Sequence, residues 1–316
     1  MRSRVPSHNI RIGTSGWSYP SGQGSWNGLF YPPRGRAHRP RGFDELSYYA
    51  EHFNTVEVNS SFYGIPTPEV TQRWVDRTPG DFEFSMKLFQ KFTHPRMFTK
   101  ATWQTNADVT NLDIDRVRAA LSPLQDAGKL GVLLAQFPPS FKSDTSTRDY
   151  LSWLLTVFAD CPVAVELRHA SWSADVGTTL SMLNEFGAAW AQIDEPKFRF
   201  SIAQNQLPNV EHCYYMRLHG RNASTWWKHD RAEERYNYLY SASELKPFAE
   251  TTDAASRLVK KLYLYLNNHF AAKAVANASV LKHQLDMPVT GEFRQAFVDR
   301  YPELKGIVQT RVGLLS

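Results

Sequence analysis

The chain has 316 residues, 42% apolar and 21% charged, with nine Trp, fourteen Tyr and nineteen Phe, ample material for a large core; disordered and collagen-like classes are excluded. Thirty-six Lys and Arg against thirty-one Asp and Glu give a net charge of +5, enough to favour anionic partners but too little to establish a nucleic-acid binder. Two cysteines, Cys161 and Cys213, cannot build a disulfide framework, no apolar run approaches a bilayer span, and residues 1–9 lack an apolar leader core, so a cytoplasmic protein without membrane association is expected.

Residues 1–9 read as an extended or disordered N-terminus and 10–316 as one domain, because no linker, repeat or low-complexity segment interrupts the alternation of strand-like runs and helical periodicities. The first strand is expected at 10–14. Leu46, Tyr49, Ala50 and Phe53 then form a helical stripe, followed by a strand at 55–59. Thr67 and Pro68 start a second helix, with Val70 and Trp74 a turn apart, before a strand at 82–87. Val117, Ala120, Leu121 and Leu124 form the next stripe, expected to kink or break at Pro123, and a strand follows at 131–136. Leu151, Leu154, Leu155 and Phe158 precede a strand at 163–168, and a helix at 180–186 precedes a strand at 188–194. The stretch 196–211 is weakly periodic, which predicts a crossover without a proper helix before the strand at 213–219. Helices at 245–262 and 271–285 flank a last strand at 262–267.

Eight strands alternating with helices are the count of a single (β/α)8 TIM barrel with extended βα loops. An open doubly wound sheet would usually show a Gly-rich phosphate turn after its first strand, and Gly13-Thr14-Ser15-Gly16 lacks that spacing.

Alternate residues of a strand face opposite ways, and the sets opposite the apolar ones end polar. With Val56 and Val58 outside, Glu57 and Asn59 point inward; the same parity turns Ser85 and Lys87, Glu166 and Arg168, Arg217 and His219, and Tyr265 and Asn267 inward, with Gln136 and Asp194 closing the ring. These residues lie toward the strands' C-terminal ends, the face on which barrel enzymes build their sites. Such charges could neutralise one another for structure alone, but burying several is expensive and apolar substitutes are often as stable, so function is favoured for the set.

The loops add cations and rings. Arg34, Arg36, Arg39 and Arg41 follow the first strand, Lys91, Arg96 and Lys100 the third, and Arg221, Lys228, Arg231 and Arg235 the seventh, with Asp230, Glu233 and Glu234 among them. Trp17, Tyr19, Trp26, Phe30, Tyr31, Phe62, Tyr63, Trp172, Trp226 and Trp227 lie among these cations, a combination suited to phosphorylated sugars or bases, although many such rings pack loops onto a barrel.

P-loop, HExxH, GxSxG and CxxC motifs are all missing. Of the scattered histidines only His219, with His169 and His269 as lesser candidates, falls at a strand end. No cofactor is expected. A divalent metal, if there is one, would take Glu57, Glu166, Asp194 and His219, against the repulsion of Lys87, Arg168 and Arg217 on the same rim.

Seven ordered motifs resemble the YecE-like proteins, catalogued as domain of unknown function 72: GTSGWSY at 13–19, FYPP at 30–33, YYAEHFNTVEVNSSFYGIP at 48–66, LLAQFPPSF at 133–141, AVELRHASW at 164–172, YMRLHGR at 215–221 and YLYLNNHF at 263–270. The resemblance runs from about residue 10 to about 281, implies a TIM barrel and brings no catalytic residue with it. Gly64 departs from the larger, commonly basic residue that the resemblance implies at that position.

The leading expectation is an enzyme performing metal-independent acid/base chemistry on an anionic, phosphate-bearing substrate. Glu57, Glu166 and His219 are the candidate catalytic groups. Asn59, Lys87, Gln136, Arg168, Asp194, Arg217, Arg221, Asn267, Trp17 and Tyr63 are the candidate substrate contacts. The alternatives are a metal-dependent phosphodiesterase or isomerase, a glycosidase, and a non-catalytic binder of a nucleotide or single-stranded nucleic acid.

Overall fold

The computed structural model describes residues 9–35, 39–102, 108–203, 207–224, 226 and 232–311, so all but Asn9 of the expected N-terminal extension falls outside it. The strands are β1 (Ile10–Thr14), β2 (Thr55–Val58), β3 (Glu83–Lys87), β4 (Leu130–Gln136), β5 (Val163–Glu166), β6 (Ala189–Trp190), β7 (Gln192–Asp194), β8 (Cys213–Leu218) and β9 (Lys261–Leu266). They form two parallel sheets, ordered β2-β3-β4-β5-β6 and β1-β9-β8-β7. The fold is mixed α/β with parallel sheets, in keeping with a TIM-like barrel.

Hydrogen bonds link residues at the edges of the two sheets. The sixth expected strand is divided at Ala191: β6 pairs with β5 and β7 with β8, while the Ala191 N–H donates to Val165 O at 2.9 Å. At the other edge Ser15 and Glu57 form a parallel bridge, and the Gly16 N–H donates to Glu57 O at 2.7 Å. Tyr49, on helix α1 (Glu45–Ala50), fastens this edge: its hydroxyl accepts from the Thr14 N–H at 2.9 Å and donates to Thr55 O at 3.1 Å.

Most helices sit where the periodicity places them: α2 (Pro68–Asp76), α3 (Gln90–Thr93), α4 (Pro95–Thr102), α5 (Asn111–Asp126), α6 (Thr145–Val157), α7 (Ser171–Ala174), α8 (Val176–Glu185), α9 (Ala242–Ser256) and α10 (Lys273–Gln284). Pro123 lies inside α5 without ending it, a correction to the expected break. Proline removes one backbone bond, which Val117, Ala120, Leu121 and Leu124, all buried on one stripe, outweigh. Between β7 and β8 no helix is found among the described residues. Helix α11 (Gln295–Arg300) and the strand pair β10 (Glu292–Phe293) and β11 (Gln309–Thr310) form a C-terminal addition that the periodicity does not reveal. Phe293, Phe297 and Tyr301 bury themselves there, the first two against Phe30. No helix is long and apolar enough to cross a membrane among the described residues.

The core has two parts. An outer one packs Val56, Val58, Phe84, Met86, Val165, Leu167, Met216, Leu218, Leu264 and Leu266 against the helices. An inner, smaller one is made of Val132, Leu134, Ala164, Ala189, Ala191, Cys213, Tyr215, Tyr263 and Tyr265. Both cysteines are buried and unpaired.

Gly13 sets the spacing at the β1–β2 edge, since a Cβ there would stand 2.3 Å from Thr55 O. Gly13→Ala is therefore expected to lower stability by roughly 3 kcal/mol or more through forced separation of the two strands. Gly64→Ala, with open space around the added carbon, is expected to stay within about 1 kcal/mol. Urea unfolding midpoints of the two variants check both.

Candidate functional site

The inward side chains fall in layers. At the N-terminal end Glu83 takes Arg11 at 3.2 Å, Lys261 at 2.8 Å and the Tyr263 hydroxyl at 2.5 Å. Above it the Tyr265 hydroxyl lies 2.6 Å from Thr55 Oγ1 and 2.9 Å from Ser85 Oγ.

The C-terminal layer is built around Arg217. Its Nε and Nη2 donate to the two oxygens of Glu57 at 2.8 and 2.7 Å, a bidentate pair joining β8 to β2. Its Nη1 donates to Gln136 Oε1 at 3.0 Å and to Glu166 Oε2, reaching β4 and β5. The Tyr215 hydroxyl donates to Glu57 Oε2 at 2.7 Å. Glu57, Glu166, Arg217 and His219 are fully buried. Burial alone would raise the Glu166 carboxyl, but the Arg217 and Arg168 guanidiniums hold it well below the usual carboxylate range.

Arg168 continues the network toward solvent. Its Nε donates to Glu166 Oε1 at 2.7 Å, and its Nη1 stands 3.2 Å from Glu195 Oε2. That contact is an ion pair without hydrogen-bond alignment, so Glu195 Oε2 has no hydrogen bond among the described residues. Burial raises the Glu195 carboxyl above its ordinary value despite Arg168. Asn267 Nδ2 lies 2.9 Å from His219 Nδ1, and His219 Nε2 lies 3.3 Å from Arg168 Nη2, 3.4 Å from Arg217 Nη1 and 3.5 Å from Glu166 Oε1. Burial pushes His219 down to about 3, against the pull of Glu166, so its imidazole is neutral.

Lys87, half-buried at the end of β3, differs from the other cations of the layer. Among the described residues its ammonium has no carboxylate or hydrogen-bond partner and lies 3.9 Å from the centre of the Phe62 ring. Burial, reinforced by Arg217, lowers it to about 7, with Glu166 and Glu57 pulling the other way. Ser61 holds the neighbouring turn in place, its hydroxyl sharing one proton between Lys87 O at 2.6 Å and Val58 O at 2.9 Å. The ring of His94 meets Phe62 edge-on at 5.0 Å, and burial with the Lys87 charge lowers it to about 3.

Asp194 is not part of this layer, a correction to the inward ring, and the loop residue Arg221 lies beside it. Residues opposite each other in a ladder share a face, and Asp194 is paired with Leu218 on the helix side while Ile193 pairs with Arg217. Asp194 accepts two bonds from Arg221, at 2.8 and 3.0 Å, and one from the Tyr240 hydroxyl at 2.7 Å. The inward residue is Glu195, which the sequence reading missed by one position. His94 was missed as well, because it lies beyond β3 at the end of a short helix.

The metal set of Glu57, Glu166, Asp194 and His219 is not assembled, since Asp194 faces away. No three His, Cys, Asp or Glu side chains converge as ligands among the described residues. Asn59 precedes the 60–62 turn without a side-chain capping bond, and its buried Oδ1 has no partner among the described residues. Trp17 packs edge-on against Trp74 of α2 at 5.6 Å, and Tyr63 is exposed. Trp26, Phe30, Tyr31, Trp172 and Trp226 are buried, which removes most of the rings offered for base stacking. Arg39 is engaged by Glu45 at 3.3 Å and Asn27 at 2.5 Å, while Arg36, Trp227, Lys228 and Arg231 lie outside the described residues.

The model of the family described as "Protein of unknown function DUF72" matches residues 11–298. The chain belongs to that family. The UPF0759 protein YunF of Bacillus subtilis is 29% identical over 294 residues, covering 89% of this chain and 96% of YunF. The UPF0759 protein YecE of Escherichia coli is 32% identical over 132 residues, 42% of this chain and 39% of YecE. Crystal structures of DUF72 family proteins superpose over most of the fold. One from Enterococcus faecalis has a TM-score of 0.74 at 26% identity, covering 88% of this chain and 96% of the other. One from Thermotoga maritima has a TM-score of 0.72 at 31% identity, covering 88% and 100%.

Two stability effects follow for this DUF72 protein. Arg217→Met leaves two buried carboxylates without their shared cation and is expected to cost about 3–5 kcal/mol, a fall of roughly 5–10 °C in Tm. Burial also lowers His52 to about 4 and His269 to about 3, alongside His94 and His219. An unfolded chain protonates histidine near pH 6.5, so below that value it binds protons the folded chain refuses, and stability falls as pH drops toward 4. The stabilisation from the depressed Glu166 carboxyl is fully present above about pH 4.5 and disappears only below it. Melts followed by circular dichroism at pH 7, 6 and 5 should show Tm declining through this histidine window.

Proposed function

We propose that this protein is an enzyme whose site occupies the C-terminal mouth of a closed (β/α)8 barrel and whose side chains perform acid/base chemistry on an anionic, phosphate-bearing substrate. Closure is supported by the bonds at the two sheet edges, from Ala191 to Val165 and from Tyr49 to Thr14 and Thr55. The observation that carries the functional reading is Lys87: an amine with no carboxylate partner among the described residues, lowered to about 7 at a strand end. A group that exchanges its proton near neutrality is what general acid/base catalysis needs, and a lysine reaches that range only through burial and like charge.

The roles then differ from those the sequence offered. Lys87 is the proton-transfer group, and Glu195, raised while Glu166 is depressed, is the complementary acid. Arg168, with 11% of its side chain exposed, presents the guanidinium edge that meets the substrate anion. Glu57, Glu166, Gln136, Asn267 and His219 hold the two guanidiniums and each other in position. This arrangement favours a small anion over a nucleic-acid strand, because the stacking rings of the rim are mostly buried.

The test is direct. Acetic anhydride labelling across pH 6 to 11, with each lysine followed by peptide mass spectrometry, should give Lys87 a midpoint near pH 7, and sugar phosphates should protect it. A Lys87 midpoint near 10, that of an ordinary lysine, would sink the reading. Once a turnover is identified among phosphorylated compounds, Glu195→Gln should lower kcat by ~100-fold or more and Asp194→Asn by less than ~5-fold.

A further inference from the structure

We propose that Lys87 is a covalent catalyst: its ε-amine adds to the carbonyl carbon of an anionic aldehyde or ketone and holds it as an imine. This inference rests on the reading of Lys87 as the proton-exchanging amine of the mouth and goes beyond it by naming a bond and a substrate class.

Glu57 and Glu166 are engaged by arginines through hydrogen-bonded ion pairs, both by Arg217 and Glu166 also by Arg168, while Glu195 stands beside Arg168 without hydrogen-bond alignment. Lys87 is left with the face of Phe62 at 3.9 Å. A lysine meant only to hold an anion gains by keeping its charge, and a paired carboxylate would keep it. Here the charged form receives a cation–π contact, worth about 0.5–2 kcal/mol, and the more distant pull of Glu166 and Glu57, while burial and the Arg217 and Arg168 guanidiniums oppose it and prevail. The net result is a substantial fraction of free amine at neutral pH. Compared with an ordinary lysine that is on the order of a thousandfold more free amine, and the unprotonated form is the nucleophile.

The chemistry balances without an oxidant or a reductant. The amine lone pair forms the C–N bond, the carbonyl π pair moves to oxygen, and that oxygen takes up the proton released by nitrogen. A second proton, taken from water, turns the resulting hydroxyl into water, which leaves as the C=N bond forms. The product is an iminium, and the carbonyl oxygen departs as water. An iminium draws electrons from the adjacent carbon, so the reaction class is loss of a proton or of a carbon substituent beside a carbonyl. Arg168 and Arg217 supply the positive field that favours a carbonyl compound carrying phosphate or carboxylate.

The experiment treats the full chain at pH 7.5 with glycolaldehyde phosphate, and in parallel with uncharged glycolaldehyde, in the presence of sodium cyanoborohydride. Peptide mapping then compares every lysine. Lys87 should carry the reduced adduct at least ~10-fold above any other lysine, with the phosphorylated probe reacting faster and inorganic phosphate slowing it. Lys87→Met should abolish that preferential adduct, and its Tm shows whether it folds. In case it does not, the wild-type map decides alone. Labelling spread over exposed lysines with none favoured at Lys87 overturns the imine. If Lys87 still titrates near 7 in the acylation experiment, acid/base chemistry survives that result; if it titrates near 10, both readings fall.

Discussion

One guanidinium holds the interior of this protein together at its functional end. Arg217 projects from β8 and binds both oxygens of Glu57 on β2, one oxygen of Glu166 on β5 and the amide oxygen of Gln136 on β4. Four strands drawn from both sheets thus share one buried cation. Carboxylates and a guanidinium without solvent are tolerable only with near-complete pairing, because taking each charge out of water costs several kcal/mol that Coulomb attraction must offset. The bidentate geometry on Glu57 and the Tyr215 hydroxyl supply that pairing.

The pairing also determines what is left over. Two carboxylates and two guanidiniums, Glu57 and Glu166 with Arg217 and Arg168, neutralise each other in the depth of the layer. Glu195 and Lys87 are the remainder, one beside Arg168 without hydrogen-bond alignment and the other on a phenyl face. Each is displaced toward its uncharged form, the carboxyl upward and the amine downward. Glu83, at the opposite end, shows the contrast. It is buried among Arg11, Lys261 and Tyr263, every partner is aligned, and its carboxyl is held below its ordinary value once burial is outweighed. Identical residue types thus make a fully paired network at one end and leave an amine and a carboxyl displaced toward their uncharged forms at the other.

Strand parity made most of this legible beforehand. Where a strand alternates large apolar residues with polar ones, as in Val56-Glu57-Val58 or Met216-Arg217-Leu218, the inward set follows at once. The sixth strand offers no such contrast: Ala188, Ala189, Trp190 and Ala191 are apolar on both faces, and a slip of one position exchanged Glu195 for Asp194. The ladder resolves it, since Ile193 stands opposite Arg217. Loop residues were less accessible. Trp26, Trp172 and Trp226 are followed by no periodicity that distinguishes a packing ring from a binding one, and their burial depends on contacts distant in sequence, such as the Trp26 indole donating to His269 O at 2.7 Å. His94 became visible only when the chain beyond β3 folded back over Phe62.

The environment of Lys87 is fixed by backbone rather than by a ligand. Ser61 bonds simultaneously to the last residue of β2 and to Lys87 O on the last residue of β3, so the turn carrying Phe62 is tied to the strand carrying the amine. Phe62 is itself buried and braced by His94, whose imidazole stays neutral and adds no charge beside the amine. A preorganised apolar wall of this kind keeps water from one side of the amine before any substrate arrives, and electrostatic effects are largest where solvent need not reorganise. Substituting the neighbouring strand ends would disturb this geometry even without touching Lys87, because the Ser61 hydroxyl sets the amine's surroundings through Phe62.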